Sequence, residues 1–365
     1  MTRGPASATP PDERREGITR KTGWFRYAEA ADRQRPVPPD GVEIADLRGR
    51  DRLLFNEVRA IWHANIGPIR TPQVAAIHAD MHEIFGAARQ DGHKVKPAMV
   101  IDAPPGLGKT TVVKAFGKDV HREQIELRGD ETAAGNLHVP VGYVSLSSNT
   151  TRRGFSSAVA GFYEHPGADS GNADRIGNRA ANCMISTGTR LMIIDDVHFL
   201  ELRSKAGRDI ANHFKWIANT FPVTLLLVGV DLRKRGLFDD PQTARRWTPL
   251  DMTPLEVETE QGRRSWRSLL KAIEKELVLT NLTPGMLAED LSDYLFARSS
   301  GHFSSLMTLI ERGCYRAVRT GEERLTEALM DQVKNDAAAE AVRRELAAAF
   351  AKGRLTSRPT KAAAA

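Results

Sequence analysis

Residues 98–113 read AMVIDAPPGLGKTTVV, and this stretch decides the fold that the sequence predicts. The apolar run at its start predicts a buried strand, and the Gly/Pro segment after it predicts a turn. The residues that follow Lys109 are compatible with a helix. A glycine-rich turn between a strand and a helix, closed by Lys and Thr, is the pattern of a phosphate-binding loop. Its glycines let backbone N–H groups surround a phosphate, and the helix N-terminus favours negative charge.

The side chains of this loop predict particular roles toward a nucleotide. Lys109 can reach the β- and γ-phosphates, and the Thr110 hydroxyl can ligate Mg²⁺. Ala103 stands where the pattern usually has its first glycine. We expect the nucleotide to contact the whole turn, namely Ala103, Pro104, Pro105, Gly106, Leu107, Gly108, Lys109, Thr110 and Thr111.

The composition is that of an ordinary globular protein. The chain has 365 residues, of which 41% are hydrophobic and 27% charged, enough for one large or two modest domains. Two cysteines exclude a disulfide framework, so we expect a cytoplasmic location. No apolar run approaches the ~20 residues of a bilayer span, and no membrane partner is expected. A net charge of +6 permits nucleic-acid binding without establishing it.

Strands alternate with helices through the middle of the chain. Besides the strand at 98–101, apolar runs predict strands at 139–146, 191–196 and 223–230. Helices are predicted from Asp51 and from Pro72, before the first strand. This alternation indicates an α/β fold with a parallel sheet covered by helices on both faces.

Changes in composition divide the chain into four predicted segments. The first is rich in Pro, Gly and charge, which is typical of a flexible arm, although Trp24, Phe25 and Tyr27 interrupt it. After the α/β core, amphipathic helices predict a small all-helical domain, followed by an Ala-rich basic tail that begins helical and ends disordered. The predicted bounds are 1–50 for the arm, 51–250 for the core, 251–333 for the helical domain and 334–365 for the tail.

Carboxylates end two of the predicted strands. The run LMIIDD delivers Asp195 to the edge of the sheet beside the phosphate loop, where it can hold Mg²⁺ through water. Asp196 can orient and polarise the attacking water. Asp231 follows the next strand and is a candidate to contact the γ-phosphate or the water. Its alternative role is that of a solvated turn residue.

A pair of arginines follows the turn-rich segment LFDDPQTA. An arginine at Arg245 or Arg246 can point into the nucleotide of a neighbouring subunit, where such a finger contributes ~10³–10⁵ in rate. The alternative is a surface basic pair packed by Trp247.

The order of these motifs resembles that of the AAA+ ATPases: phosphate loop, carboxylate strand, polar strand end, arginine pair and helical lid. A closer resemblance is to the transposition ATPases of the TniB/TnsC group, and it covers about residues 52–332. Short segments carry it, namely GPIRTP at 67–72, DVH at 196–198, NHFK at 212–215, SGH at 300–302 and SLM at 305–307.

The resemblance implies an ATP- and Mg²⁺-dependent protein that associates into a ring or filament on double-stranded DNA and delivers the target to a DDE transposase. It implies an adenine pocket that uses Ile69 and Thr71. Asp196 stands where AAA+ proteins usually have Glu, so we expect slow ATP hydrolysis. Ser304 stands near the place of the sensor arginine of the lid, so the lid either reports nucleotide state weakly or does so through Arg298.

DNA contacts are expected from loops on one face of such an assembly. The loop after the second strand carries hydroxyl and guanidinium groups suited to phosphate contacts, at Ser148, Thr150, Arg152 and Arg153. The basic segment 233–235 is a second candidate. Each of these segments can also be an ordinary solvated loop.

Two other classes of NTPase remain open from the sequence. STAND-type signalling switches also carry a double-Asp strand end, but they usually carry long repeat or effector domains. A helicase-loader or initiator-like AAA+ protein is the other alternative. An initiator is expected to add a DNA-binding domain, and the sequence carries no helix-turn-helix signal.

Overall fold

The computed structural model describes residues 17–39, 41–88, 94, 96–148, 150–200 and 202–359. The chain divides into two compact units. Among the described residues, the first unit, which we call the sheet unit, consists of 17–31, 73–88, 94, 96–148, 150–200 and 202–253. Among the described residues, the second unit, which we call the helical unit, consists of 32–39, 41–72 and 254–359.

Five parallel strands form the sheet, and they lie in the order β2-β3-β4-β1-β5. Because all five strands are parallel, their carboxyl ends meet at one edge, where the ends of β1 and β3 flank that of β4. The strands are β1 (Ala98–Asp102), β2 (Val141–Ser145), β3 (Leu191–Asp195), β4 (Thr224–Gly229) and β5 (Trp247–Asp251).

Helices connect the strands and build the helical unit. The α-helices of the described residues are α1 (Lys21–Glu29), α2 (Gly49–His63), α3 (Pro72–Ala87), α4 (Lys109–Arg128), α5 (Arg152–Phe162), α6 (Ala173–Ser186), α7 (Lys205–Thr220), α8 (Pro241–Ala244), α9 (Glu260–Glu276), α10 (Ser292–Ser299), α11 (Phe303–Thr320), α12 (Glu327–Met330) and α13 (Ala337–Ala351). A π-helical turn, Met286–Asp290, precedes α10. Across the described residues, none of these helices combines the length and the apolar character that crossing a bilayer requires.

The predicted parallel α/β sheet and the helical region after it are confirmed. All four predicted strands are present, and β1, β3 and β4 are buried almost along their whole length, as expected for central strands of a helix-covered sheet. The fifth strand, β5, was not predicted. It pairs with β1 at the edge of the sheet, contains Pro249 and exposes three of its five residues, so its sequence lacks a continuous apolar run.

The helical unit has its own apolar core, to which α9, α10 and α11 contribute. A buried ion pair joins α2 to the turn after α11. The Arg59 guanidinium, which has 0% of its surface exposed, donates to both carboxylate oxygens of Glu323 at 2.6 and 2.8 Å. Burial alone would raise the pKa of Glu323, but these bonds and the charge of Arg59 hold it below its usual value.

The predicted flexible arm differs from the structure where the structure describes it. Residues 1–16 and residue 40 lie outside the described residues, but α1 is a helix in which Trp24 has 0% of its surface exposed. The indole occupies space that Gly117 of α4 leaves open, since a Cβ at Gly117 would lie 2.8 Å from Trp24 Cη2. Burial of this side chain orders a segment whose local composition does not predict order.

The predicted bounds of the core and the tail also differ from the observed units. Residues 32–72 belong to the helical unit, where α2 packs on α11. The predicted tail contains α13, which packs on α10, and beyond it Ser357 is fully buried and its N–H donates to Asp293 Oδ1 at 2.9 Å. The terminal alanines lie outside the described residues.

Candidate nucleotide-binding site

The phosphate loop joins β1 to α4 at the carboxyl edge of the sheet. Gly106 and Gly108 have φ values of 78° and 84°, a left-handed conformation that glycine adopts at no steric cost. Ala103 does not have a left-handed φ, so its Cβ is tolerated at the position where the motif usually has glycine. The Ala103 N–H donates to the Gly229 carbonyl at 3.3 Å, which ties the start of the loop to the end of β4.

Lys109 is held within the loop that precedes it. Its Nζ donates to the carbonyl oxygens of Ala103 and Pro104 at 2.8 and 2.7 Å. Partial burial lowers the pKa of Lys109, while the carboxylates of Asp195, Asp102 and Asp196 act in the opposite direction. The charge of the ammonium group is therefore favoured by three carboxylates and disfavoured by burial.

Thr110 and Asp195 meet as the magnesium prediction requires. The Thr110 hydroxyl donates to Asp195 Oδ2 at 2.8 Å, and the Tyr143 hydroxyl donates to the same oxygen at 2.9 Å. Only 2% of the Asp195 surface is exposed. Burial and the adjacent Asp195 raise the pKa of Tyr143, so this phenol stays a hydrogen-bond donor.

Mg²⁺ fits this donor set. A hydroxyl and a carboxylate oxygen in direct contact are the hard ligands that Mg²⁺ takes from a phosphate loop, the remainder coming from phosphate and water. Among the described residues, the structure contains no cluster of three or more His, Cys, Asp or Glu side chains suited to an all-protein metal site. Thr110 and Asp195 are accordingly the residues that would hold Mg²⁺ beside the phosphates.

Asp196 turns toward β2 rather than toward β1. It has a φ of 60°, and its carboxylate Oδ2 accepts a 2.7 Å hydrogen bond from Ser145, the last residue of β2. Its N–H donates to Asp195 Oδ1 at 2.9 Å, so both carboxylate oxygens of Asp195 are occupied. Sequence reasoning missed Ser145, because only the pairing of β2 with β3 brings it beside Asp196.

Asp231 lies in the turn after β4 with its side chain exposed. Its carboxylate pairs with Lys234 at 2.8 Å, and that contact lowers the pKa of Asp231. Asp102, which sequence reasoning missed, organises this turn instead. Its two oxygens accept from the N–H groups of Leu232 and Arg233, both at 2.9 Å. The one available signal was its position at the end of the first strand, directly before the loop.

The arginine pair lies between α8 and β5. Asp240 caps α8 and accepts from Lys215 at 2.7 Å, and these bonds lower the pKa of Asp240 to about 2. Arg246 donates to Asn219 Oδ1 at 2.9 Å. Arg245 is exposed, and within the part of the chain that the structure describes its side chain has no hydrogen-bond or ion-pair partner.

The two residues predicted to line the adenine pocket belong to the helical unit. Ile69 packs against the core of that unit, and the Thr71 N–H donates to the Ile69 carbonyl at 3.0 Å. The phosphate loop belongs to the sheet unit. The role of both residues stays a prediction.

Arg298, the candidate sensor, is buried within the helical unit and bonded there. It has 1% of its surface exposed, and it donates to the carbonyls of Met330 and Val333 and to the Glu340 carboxylate. These bonds join α10 to the segment that leads into α13. The role of Arg298 as a nucleotide sensor stays a prediction, and Ser304 is exposed on α11.

The predicted DNA-contacting residues surround the start of α5. Ser148 and the Arg152 and Arg153 side chains are exposed, but both arginines have partners in the chain. Arg152 pairs with Asp174 at 2.8 Å, and Arg153 donates to the Asp169 and Gly171 carbonyls. Thr150 donates to the Ser147 carbonyl at 2.6 Å. The second candidate segment, 233–235, carries ion pairs from Arg233 to Asp251 and from Lys234 to Asp231.

The fold and the site define an AAA+-type P-loop protein. The sequence model of the family described as "Bacterial TniB protein" matches residues 63–257. The chain therefore belongs to the TniB family, which confirms the resemblance. No curated protein matches the chain.

Solved structures share this fold at low sequence identity. The ORC2 protein of Aeropyrum pernix, in ADPNP–ADP complexes, aligns with a TM-score of 0.58 and 17% identity over 80% of this chain and 72% of its own. The ORC1 protein of the same organism, in complex with DNA, aligns with a TM-score of 0.56 and 18% identity over 75% of this chain and 66% of its own. At such identities the likeness concerns the AAA+ fold alone, which agrees with the predicted fold class.

Proposed function

We propose that this protein is an ATP-dependent, DNA-binding regulator of DNA transposition that assembles on target DNA and recruits or activates a DDE transposase. Membership of the TniB family supports the biological role. The observation that carries the nucleotide-dependent part is the meeting of Lys109, Thr110 and Asp195 at one sheet edge. ATP and Mg²⁺ are the cofactors that this donor set suits.

Each residue of the site has its own role in ATP hydrolysis. Lys109 exchanges its two loop carbonyls for the β- and γ-phosphates, while loop N–H groups bind the remaining phosphate oxygens. Thr110 and Asp195 would hold Mg²⁺, which would neutralise phosphate charge. Asp196 accepts the proton of the attacking water once its carboxylate leaves Ser145.

Arg245 is the better candidate for a finger that acts on a neighbouring subunit. Its guanidinium is exposed and unpaired within the described residues, whereas Arg246 bonds Asn219. The turn that carries Arg245 is held between capped α8 and the buried Trp247. A rigid turn with an exposed arginine suits insertion into the nucleotide site of a second copy. ATP hydrolysis would then depend on self-association.

DNA binding is assigned to the surface at the start of α5. Thr151 caps this helix, and the arginines of its first turn lie beside the N-terminal backbone groups that favour a phosphate. Arg152 would exchange a surface ion pair, whose net contribution is small, for a DNA phosphate. Contacts of this kind position DNA without reading its sequence.

Assembly on DNA tests this proposal. Purified protein is mixed with duplex DNA and a slowly hydrolysed ATP analogue and imaged by electron microscopy. We expect rings or filaments on DNA with the analogue and none without nucleotide. Lys109→Ala should abolish them by removing the phosphate contact, whereas the matched control Lys271→Ala, which changes an exposed lysine on α9, should assemble normally.

The same experiment distinguishes the alternatives. A monomer with bound nucleotide and no affinity for DNA would favour the STAND-type switch. Assembly that is equal with and without nucleotide would contradict the proposal. The double variant Arg152→Ala, Arg153→Ala should lose DNA-dependent assembly while its ATP affinity stays at the wild-type value, and unchanged DNA affinity would mean that these arginines are surface charge only.

A further inference from the structure

The hydrogen bond from Tyr143 to Asp195 connects the candidate magnesium site with the interior of the sheet unit. Tyr143 lies in the middle of β2, with 3% of its surface exposed, and its hydroxyl reaches Asp195 Oδ2 on the neighbouring strand. That oxygen also accepts the Thr110 hydroxyl. The direction of the Asp195 carboxylate therefore depends on where the Tyr143 ring is held.

Trp24 and Lys114 both lie beside that ring. The indole of Trp24 stacks on it with centroids 6.0 Å apart and planes inclined by 10°. Lys114 Nζ lies 5.4 Å from the ring centroid. Of these, Trp24 is the more rigid neighbour, because it is fully buried and its Nε1 donates to His121 Nδ1 at 3.3 Å. Aromatic stacking of this kind favours one ring orientation over others.

Both ends of helix α1 are hydrogen-bonded to other parts of the sheet unit. At its N-terminal end, Lys21 donates to the Tyr163 carbonyl at 3.0 Å. At its C-terminal end, Arg122 of α4 donates to the carbonyls of Ala28 and Ala30 at 2.8 and 2.7 Å. A contact that loosened this end of α1 would free the indole of Trp24 and, through it, the Tyr143 ring.

We propose that Tyr143 is a positioning residue for Asp195, and that α1 controls this positioning through Trp24. The inference rests on the proposed nucleotide-dependent function and adds a route by which the N-terminal helix governs affinity for Mg²⁺-bound nucleotide. Removal of the Tyr143 hydroxyl leaves Asp195 Oδ2 with one donor in place of two. Loss of such a bond to a metal-holding carboxylate typically costs ~10–100-fold in metal affinity.

The test measures equilibrium binding of a fluorescent ATP analogue to the full chain, with Mg²⁺ and with EDTA. Tyr143→Phe keeps the ring and removes the hydroxyl, so it should weaken Mg²⁺-dependent binding about tenfold and leave binding in EDTA unchanged. Tyr315→Phe, which alters an exposed tyrosine of α11, is the matched control and should behave as wild type. Trp24→Ala should give the same Mg²⁺-specific loss.

The double variant Trp24→Ala, Tyr143→Phe should bind as weakly as Tyr143→Phe alone, because both changes act on one contact. If Trp24→Ala does not fold, Lys118→Ala with Arg122→Ala loosens the same end of α1 from its surface and should show the loss. Wild-type Mg²⁺ dependence in Tyr143→Phe, an equal loss in EDTA, or additive losses in the double variant would overturn the inference. Failure of the wild-type chain to bind the analogue would instead overturn the proposed function.

Discussion

The Ser145 hydroxyl donates a 2.7 Å hydrogen bond to Asp196 Oδ2, and so joins the end of β2 to the residue that follows β3. In the sheet order, β2 lies on the side of β3 opposite β4 and β1. The carboxylate expected to activate water is therefore drawn away from the strand that leads into the phosphate loop. From this contact and the short reach of Asp, we expect ATP hydrolysis to be slow, as the sequence also predicts.

Ser145→Ala should accordingly raise basal ATP turnover. Removal of one hydrogen bond worth ~1 kcal/mol frees the Asp196 carboxylate, and we expect about a fivefold increase in steady-state turnover measured without DNA. Ser186→Ala, which changes an exposed serine at the end of α6, is the control and should keep wild-type turnover. A decrease in turnover for Ser145→Ala would mean that the bond orients Asp196 for catalysis instead of restraining it.

Asp196→Asn should separate ATP binding from hydrolysis. The amide keeps the size of the side chain but cannot accept a proton, and loss of a general base costs ~10²–10⁴ in rate. We expect unchanged affinity for ATP, strongly reduced turnover and a longer lifetime of the DNA-bound assembly. Phosphate release and dissociation from labelled DNA measure the two effects. Turnover at the wild-type rate would assign the base to another residue.

Arg245→Ala should abolish the stimulation of ATP hydrolysis by a neighbouring copy of the chain. The affinity of the variant for nucleotide should not fall. The physical reason is that the guanidinium would stabilise transition-state charge on a neighbouring copy. Arg246→Ala is the matched comparison, since it removes the Asn219 contact and leaves Arg245 intact.

Mixtures of Asp196→Asn and Arg245→Ala chains provide the decisive arm of this experiment, because both variants are expected to bind ATP and to assemble. Where an Asp196→Asn chain supplies Arg245 to the nucleotide site of an Arg245→Ala chain, both Asp196 and Arg245 are present at that interface. The mixture should therefore hydrolyse ATP faster than either variant alone. If mixing recovers nothing while each variant still assembles, Arg245 does not act between subunits.

Much of the fold was predictable because its signals are local. The central strands are buried on both faces and read as unbroken apolar runs, and the phosphate loop depends on spacing within one short segment. Edge strand β5 lacks such a run, since Pro249 and exposed polar residues interrupt it.

The missed parts of the site depend on contacts between distant segments. Ser145 meets Asp196 only through strand register, and Asp102 acts on the turn after β4 only because β1 and β4 pair. Helix α1 is likewise ordered by burial of Trp24 against α4 and β2. No spacing rule within one segment contains this information.

Buried neutral histidines should make stability fall in acid. Burial, with nearby arginines, lowers the pKa of His63 to about 4, and burial likewise lowers the pKa values of His121 and His213 to about 4. Below a pH of about 6.5 these histidines bind protons in the unfolded chain, whereas in the folded chain they stay neutral until about pH 4. The free energy of unfolding therefore falls through this window, by up to ~1.4 kcal/mol per pH unit for each histidine.

Denaturant unfolding at several pH values across this window measures the slope of the free energy of unfolding against pH. His63→Leu should make the slope shallower by the share of one histidine, even if it also lowers stability at neutral pH by leaving the Val278 N–H without its acceptor. A slope that His63→Leu does not change would show that His63 does not titrate as its burial requires.

The affinity for duplex DNA, measured with and without a slowly hydrolysed ATP analogue at about 50 and about 200 mM salt, tests the central claim most directly. The account predicts tight binding with the analogue that is independent of DNA sequence, falls steeply with salt and is lost in Lys109→Ala. Equal affinity of the wild-type chain for DNA with and without the analogue, or tight DNA binding with the analogue in Lys109→Ala, would contradict it.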